Sequence, residues 1–221
     1  MRQRIGILGG AFDPPHIGHL ILGETARQQL MLKRVVYMPT GKPPHKQEQT
    51  VTDARHRLNM TRLAVAGNEA FSVSELDVRR PGPHYTSTLR PYLAEAFPTV
   101  DFVLLIGGDS LHDLSSWHEP QKIVAEWNIA VLSRPGSTLD WKVLEAEVAG
   151  VRQSTTVLEG PSVAVSSTQI RRWASIGRSL RYLVPEAVAQ YISQNALYSP
   201  AREAPSDAAN YSPDASATGP T

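Results

Sequence analysis

Short continuous apolar runs alternate along the chain with segments whose apolar residues recur at helical spacing. The runs predict strands at about residues 5–8, 34–39, 71–78, 100–109, 127–136 and 155–160. The helical segments fall at about 20–30, 53–67, 87–97, 139–148, 167–176 and 185–195. This order predicts an α/β protein whose parallel sheet is covered by helices on both faces.

Two glycine turns give this Rossmann-like, doubly wound sheet a predicted ligand site. The first strand ends in Gly9-Gly10, and the most apolar strand ends in Gly107-Gly108-Asp109. In such sheets ligands bind beyond the carboxyl ends of the strands, where the strand order reverses. If the two strands are neighbours there, both turns face one crevice. The glycine spacing fits neither the dinucleotide fingerprint nor the P-loop, which disfavours a dehydrogenase or a P-loop enzyme.

The composition changes after Tyr198. Residues 199–221 are rich in Ala, Ser and Pro and contain few large apolar side chains. Such a segment buries too little surface to offset its ordering entropy, so it is predicted to be a disordered tail. Residues 1–198 are then expected to form one folded domain, which carries the predicted ligand site.

Charge and composition exclude several classes of protein. The net charge is +1, which provides no basic field for general nucleic-acid binding. The chain has no cysteine, and none of its apolar runs approaches the length of a membrane span. We therefore expect a cytoplasmic protein with no membrane or nucleic-acid partner, while the oligomeric state, a homo-oligomer included, stays open.

The string "GGAFDPPHIGHL" (residues 9–20) concentrates residue types that regular structure tolerates poorly. Gly9 and Gly10 allow a ligand to approach the backbone and allow positive φ, and Asp13 is a candidate helix cap. His16 and His19 then lie on one face of the first helical turn, near the positive end of the helix dipole. Such a helix start attracts phosphate, and the imidazoles add hydrogen-bond donors.

A divalent metal is an alternative ligand for this string. His16 and His19 could hold an ion together with Asp13 or Asp109. No third histidine has helical ligand spacing, so the sequence favours phosphate and predicts no protein-held metal.

A second string, "VSSTQIRR" (residues 165–172), has the residues of another anion site. Ser166, Ser167 and Thr168 offer hydroxyls and a helix N-cap, and Arg171 follows one turn later. The two strings together suggest a polyphosphate held from two sides.

The strings resemble those of the nucleotidyltransferase superfamily, and within it the bacterial nicotinate-nucleotide adenylyltransferase family. The "HIGH" tetrapeptide is shared with class I aminoacyl-tRNA synthetases, whose further regions a chain of this length lacks. The family motifs stand here in order between residues 5 and 198, as Gly9–His19, "PPHK" at 43–46, "HYTSTL" at 84–89, "IGGDS" at 106–110 with Trp117, "SRPG" at 133–136 and 165–171.

The resemblance implies the HxGH nucleotidyltransferase topology and a reaction of ATP with nicotinate mononucleotide that gives nicotinate adenine dinucleotide and pyrophosphate. It implies catalytic roles for His16, His19 and Arg171, and a Mg²⁺ ion carried by the ATP phosphates. The residues it implies for ATP are Gly9, Gly10, His16, His19, Gly107, Asp109, Ser167, Thr168 and Arg171. Those it implies for the mononucleotide are Ala11, Phe12, His45, Lys46, Thr86, Trp117, His118 and Arg134.

The implied acceptor pocket would bind the nicotinate carboxylate through Thr86 and amides near Trp117-His118, at helix starts. Trp117 would stack on the pyridine ring, although a plain core role is its rival. Three departures from the family pattern are Ala11 for a hydroxyl residue, Ser133 for an arginine and Pro91, which should delay or kink the helix after Thr86. A sister transferase and a non-catalytic nucleotide sensor remain as alternatives.

Overall fold

One parallel sheet forms the centre of the molecule. The computed structural model describes residues 2–42, 51–133, 139–161 and 163–199. In chain order the strands are β1 (Gln3–Gly10), β2 (Arg34–Pro39), β3 (Phe71–Val73), β4 (Val100–Gly107), β5 (Asn128–Leu132) and β6 (Thr155–Leu158). Their order in the sheet is β3-β2-β1-β4-β5-β6, and all neighbours pair in parallel. The predicted α/β fold class is confirmed.

Ten helices lie between and after the strands in the described ranges. They are α1 (Ile17–Gln29), α2 (Ala54–Val65), α3 (Leu76–Arg79), α4 (Arg90–Ala96), α5 (Gly108–His112), α6 (Pro120–Glu126), α7 (Trp141–Glu147), α8 (Val151–Ser154), α9 (Ser167–Ser175) and α10 (Glu186–Gln194). Two single 3₁₀ turns add Thr86–Thr88 and Leu114–Ser116. None of the described helices is long and apolar enough to span a membrane.

Side chains of the sheet alternate between two apolar cores, one on each face. Ile5 and Ile7 belong to one core, whereas Leu8 belongs to the other. The same alternation separates Leu104 from Leu105 on β4. Because both faces are covered, the strands are continuous apolar runs, as the sequence indicated.

The strand order reverses between β1 and β4, which places the predicted crevice where the glycine turns meet. These strands are direct neighbours, with Ile7 opposite Leu104 in the register. Both carboxyl ends therefore open onto the same edge of the sheet.

Several boundaries differ from the sequence prediction. The strand expected over 71–78 ends at Val73, and α3 begins at Leu76 within that segment. The short helices α5, α6 and α8 were not predicted, because one or two turns leave too little periodicity to detect. Pro91 delays the helix after Thr86, and it occupies the first turn of α4, where a missing N–H costs nothing.

A third apolar cluster fixes the C-terminal helices beside the sheet. Met60 of α2, Ile170 of α9 and Val188 of α10 are buried together in it. This packing holds the start of α9 against the loop that follows β1, so the two strings singled out above are brought into contact.

Candidate active site

A cleft of about 720 Å³ opens at the carboxyl ends of β1 and β4. The residues of the sequence prediction that line it are Gly9, Gly10, Ala11, His16, His19, Thr86, Gly107, Asp109, Trp117, His118, Ser167 and Thr168. Its size lies within the range of small-molecule binding pockets. The fold thus gathers residues that are up to 159 positions apart, from Gly9 to Thr168, around one space.

The histidines of the first string stand together at the start of α1. His16 is the N-cap and His19 lies in the first turn, with their rings stacked at 3.7 Å between centroids. The expected placement on one face is confirmed. Asp13, expected as a candidate cap, does not cap α1, because the two prolines that follow it carry the chain on to His16 before the helix begins.

A hydrogen bond fixes which nitrogen of His19 carries the proton. The backbone N–H of His16 donates to Nδ1 of His19 over 3.1 Å. Nδ1 is therefore an acceptor, and the proton of the neutral ring resides on Nε2. Burial and the neighbouring His16 lower the pKa of His19 well below its usual 6.5. At neutral pH this side chain is an uncharged N–H donor beside the cleft.

The lowered pKa of His19 predicts a loss of stability in mild acid. The unfolded chain takes up this proton near pH 6.5, whereas the folded protein takes it up only at lower pH. The stability supplied by neutral His19 is complete above pH 6.5 and is lost as the pH falls below it. Urea denaturation should show a larger loss for the unmodified protein between about pH 7 and pH 5.5 than for His19→Asn. Equal losses would contradict this titration.

The glycines at the end of β1 act through clearance and not through unusual backbone angles. Gly9 and Gly10 are both in the strand and are absent from the positive-φ residues, contrary to the expectation. A Cβ added at Gly9 would meet nothing within 4 Å, so this edge of the cleft is open backbone. The strand simply continues past the last core residue before the chain turns.

The second string lines the cleft next to the first. Ser166 is the N-cap of α9 and accepts from the amide of Gln169, as predicted. Ser167 donates its hydroxyl to the carbonyl of Pro14 over 2.9 Å. Arg171 donates Nη1 to the carbonyl of Asp13 over 2.8 Å. These bonds join α9 directly to the loop before α1.

The carboxylate of Asp13 is buried and is hydrogen-bonded to other parts of the protein. It accepts from the amide of Thr52 over 3.2 Å and from the hydroxyl of Tyr198 over 2.7 Å. Its side chain therefore serves the packing of the loop rather than a metal ion beside the histidines. Within residues 2–42, 51–133, 139–161 and 163–199, no group of three acidic or histidine side chains could hold a metal.

Thr86 and Trp117 also line the cleft, but one predicted contact needs correction. The Trp117 amide already donates to the carbonyl of Leu114, because it closes a 3₁₀ turn. The next helix, α6, begins only at Pro120, so Trp117-His118 is not its start as expected. This leaves the His118 amide and the turn that begins at Thr86 as the candidate donors.

Not every predicted residue lines the cleft. The ring of Phe12 is 2% exposed and packs edge-on against His19, so it supports the histidine from below. Arg171 stands one turn beyond the lining residues of α9. His45, Lys46 and Arg134 lie outside the described residues.

Sequence reasoning missed a buried ionic group behind the cleft. Arg80 is buried, pairs with Asp77 over 2.6 Å and also donates to the carbonyls of Pro83 and Tyr85. His84 lines the cleft beside this pair. Isolated charged residues in a polar segment of sequence resemble surface residues, so only the structure reveals their burial.

Comparison with known proteins shows the family of this chain. The cytidylyltransferase-like family profile matches residues 7–173. Probable nicotinate-nucleotide adenylyltransferases of Thermomicrobium roseum and Exiguobacterium sibiricum are 42% and 44% identical over 196 residues, which cover 89% of this chain and 92% and 99% of those proteins. The solved nicotinic acid mononucleotide adenylyltransferase of Plasmodium falciparum, complexed with NaAD, shares the fold, with a TM-score of 0.73 at 18% identity over 89% of this chain and 97% of that one. The chain belongs to the nicotinate-nucleotide adenylyltransferase family.

Proposed function

We propose that this protein transfers the adenylyl group of ATP to nicotinate mononucleotide, giving nicotinate adenine dinucleotide and pyrophosphate. The observation that carries the proposal is that the paired histidines of α1 and the N-terminus of α9 line one and the same cleft. Two helix starts aimed at one space suit a polyphosphate.

The reaction needs alignment and charge stabilisation more than it needs a base. The phosphate of the mononucleotide is already an anion at neutral pH and attacks the α-phosphorus of ATP, while the bond to the pyrophosphate breaks. In this proposal His16 and His19 contact the reacting phosphate oxygens, and Nε2–H of His19 donates to charge that grows in the transition state. Ser167, Thr168 and Arg171 hold the β- and γ-phosphates of the leaving group.

Magnesium enters this proposal as part of the substrate. Mg²⁺ binds through substrate phosphates with few protein carboxylates. Three aspartates line the cleft, but among the described residues no group of three acidic or histidine side chains could hold the ion. Asp109 also lines the cleft and is assigned to the adenosine ribose, with Gly107 beside it. No protein-held metal is part of the mechanism.

The acceptor side of the cleft is proposed to select nicotinate over nicotinamide. The two rings differ in a carboxylate against a carboxamide, so donors without a nearby acceptor favour the acid. The start of the 3₁₀ turn at Thr86 and the His118 amide offer such donors. One charge-assisted bond contributes about 1.5–3 kcal/mol, which corresponds to at least about tenfold preference in kcat/KM for nicotinate mononucleotide. Equal use of the two mononucleotides would contradict this pocket.

Replacing Trp117 with alanine separates stacking from a plain packing role. If its indole stacks on the pyridine, Trp117→Ala weakens both mononucleotides by about 0.5–1.5 kcal/mol and leaves the KM for ATP unchanged. Trp141→Ala, on α7 and away from the cleft, is the matched control. If the KM for ATP rises as much as the KM values for the acceptors, the role of Trp117 is packing and not stacking on the pyridine.

The catalytic unit is proposed to be residues 1–198, with the Ala/Ser/Pro-rich tail dispensable for catalysis. The hydrogen bond from Tyr198 to Asp13 supports this limit, because it attaches residue 198 to the loop that precedes the histidines. A cytoplasmic location is part of this proposal, because the reaction draws on ATP.

A further inference from the structure

Among the described residues, the side-chain hydrogen bonds of one buried arginine all end on backbone carbonyls. Arg57 of α2 is 1% exposed. Its guanidinium donates to the carbonyls of Ala11, Thr40, Gly41 and Thr52 at 2.7–2.9 Å. Four of its five N–H groups are thus used on three separate segments of chain.

Burying a guanidinium in this way costs free energy that an apolar packing residue would not require. Removing a charged group from water is unfavourable unless its hydrogen bonds are restored, and apolar side chains of similar volume often replace buried ions without loss. All four described bonds of Arg57 end on carbonyls of loops, and none ends on a helix or strand interior. The hydrogen bonds of Arg57 therefore stabilise the positions of these loops.

The loops that Arg57 joins form one side of the cleft. Ala11 follows β1 and Thr40 follows β2, and both line the cleft. Thr52 precedes α2 and also donates to the carboxylate of Asp13. One guanidinium thus sets the spacing between the ends of neighbouring strands.

A second set of hydrogen bonds connects the loops held by Arg57 to the proposed nicotinate subsite. The amide of Gly41 donates to Asp77 over 3.1 Å, while the carbonyl of Gly41 accepts from Arg57. Asp77 pairs with Arg80, which donates to the carbonyl of Tyr85, directly before Thr86. Gly41 is therefore held from both sides, and the path runs from Ala11 to Thr86 through hydrogen bonds.

We propose that Arg57 is a positioning residue for the acceptor half of the site: it holds the loops after β1 and β2 in the spacing that binds the mononucleotide, without touching either substrate. This inference rests on the proposed function, since it assigns these loops to the acceptor. The ATP half, built on α1 and α9, has two further bonds that Arg57 does not make: Ser167 donates to Pro14 and Arg171 donates to Asp13, closer to the histidines on the loop after β1.

The test compares Arg57→Met and Arg57→Lys with the unmodified protein in steady-state assays that vary each substrate in turn. Arg57→Met should raise the KM for nicotinate mononucleotide by about tenfold or more, as small displacements of positioning groups do, and change the KM for ATP by less than about threefold. Arg57→Lys keeps the charge but loses the forked guanidinium, so its KM for nicotinate mononucleotide should lie between those of the unmodified protein and Arg57→Met. Arg55→Met on the exposed side of the same helix is the control and should change neither.

Calorimetric titration with nicotinate mononucleotide alone, below the melting temperature of each variant, gives a readout that does not depend on turnover. A lower melting temperature with both KM values unchanged would overturn the proposal and leave Arg57 a packing residue. A larger rise in the KM for ATP would overturn it as well. If Arg57→Met does not fold, Arg57→Lys decides by the same criteria. Failure of the unmodified protein to bind the mononucleotide would instead reject the proposed function.

Discussion

His19→Ala should lower kcat/KM by about 10²–10³, the effect of losing one donor that acts in the transition state. The donor is Nε2–H, whose proton is fixed there because Nδ1 accepts the backbone N–H of His16. The lowered pKa keeps the ring neutral in the protein without substrate, so Nε2–H is present there as a hydrogen-bond donor. Initial rates of pyrophosphate release under saturating and limiting ATP measure the effect.

Two controls separate catalysis from folding in this experiment. His112→Ala removes an exposed histidine from α5 and should leave kcat/KM unchanged. Circular dichroism melting of His19→Ala establishes that the fold persists without the bond at the start of α1. Near-normal turnover of a folded His19→Ala protein would remove His19 from the mechanism.

Arg171→Ala should raise the KM for ATP by about tenfold to a hundredfold, because charge-assisted bonds to phosphate contribute about 1.5–3 kcal/mol each. The KM for nicotinate mononucleotide should change by much less. Arg171 already donates Nη1 to Asp13, which orients the guanidinium toward the loop between the two helix starts. Nη2 donates to the hydroxyl of Thr168. These two bonds fix the orientation of the guanidinium, and with it that of the remaining N–H groups.

Arg172→Ala is the matched control, since this exposed neighbour lies on the same helix and outside the cleft. It should leave both KM values unchanged. A larger effect of Arg171→Ala on the mononucleotide than on ATP would reassign Arg171 to the acceptor.

The fold could be predicted because its causes are local. Continuous apolar runs identify buried parallel strands, and glycines at the ends of β1 and β4 identify the switch point. The N-cap at Ser166 was predictable for the same reason, as the side chain bonds only three residues along the chain. The truncation of β3 was not, because the polar residues after Val73 alternate like a strand but form a helical turn.

Contacts between distant segments could not be read from sequence. Arg57 donates to Ala11 and Tyr198 donates to Asp13, and nothing local to either residue marks such a partner. The correction at Trp117 has the same origin, since a 3₁₀ turn closed by Leu114 used the amide that the sequence assigned to substrate. Sequence pattern thus predicted which residues line the candidate site, whereas the bonds that hold its loops required the structure.

Pyrophosphate release with a panel of acceptors tests the account most directly. The purified protein, with ATP and Mg²⁺, should release pyrophosphate with nicotinate mononucleotide and form nicotinate adenine dinucleotide in equal amount. Nicotinamide mononucleotide should be at least about tenfold poorer in kcat/KM, and phosphopantetheine should not react. Binding of ATP without pyrophosphate release, or preferred use of phosphopantetheine, would contradict the proposed reaction.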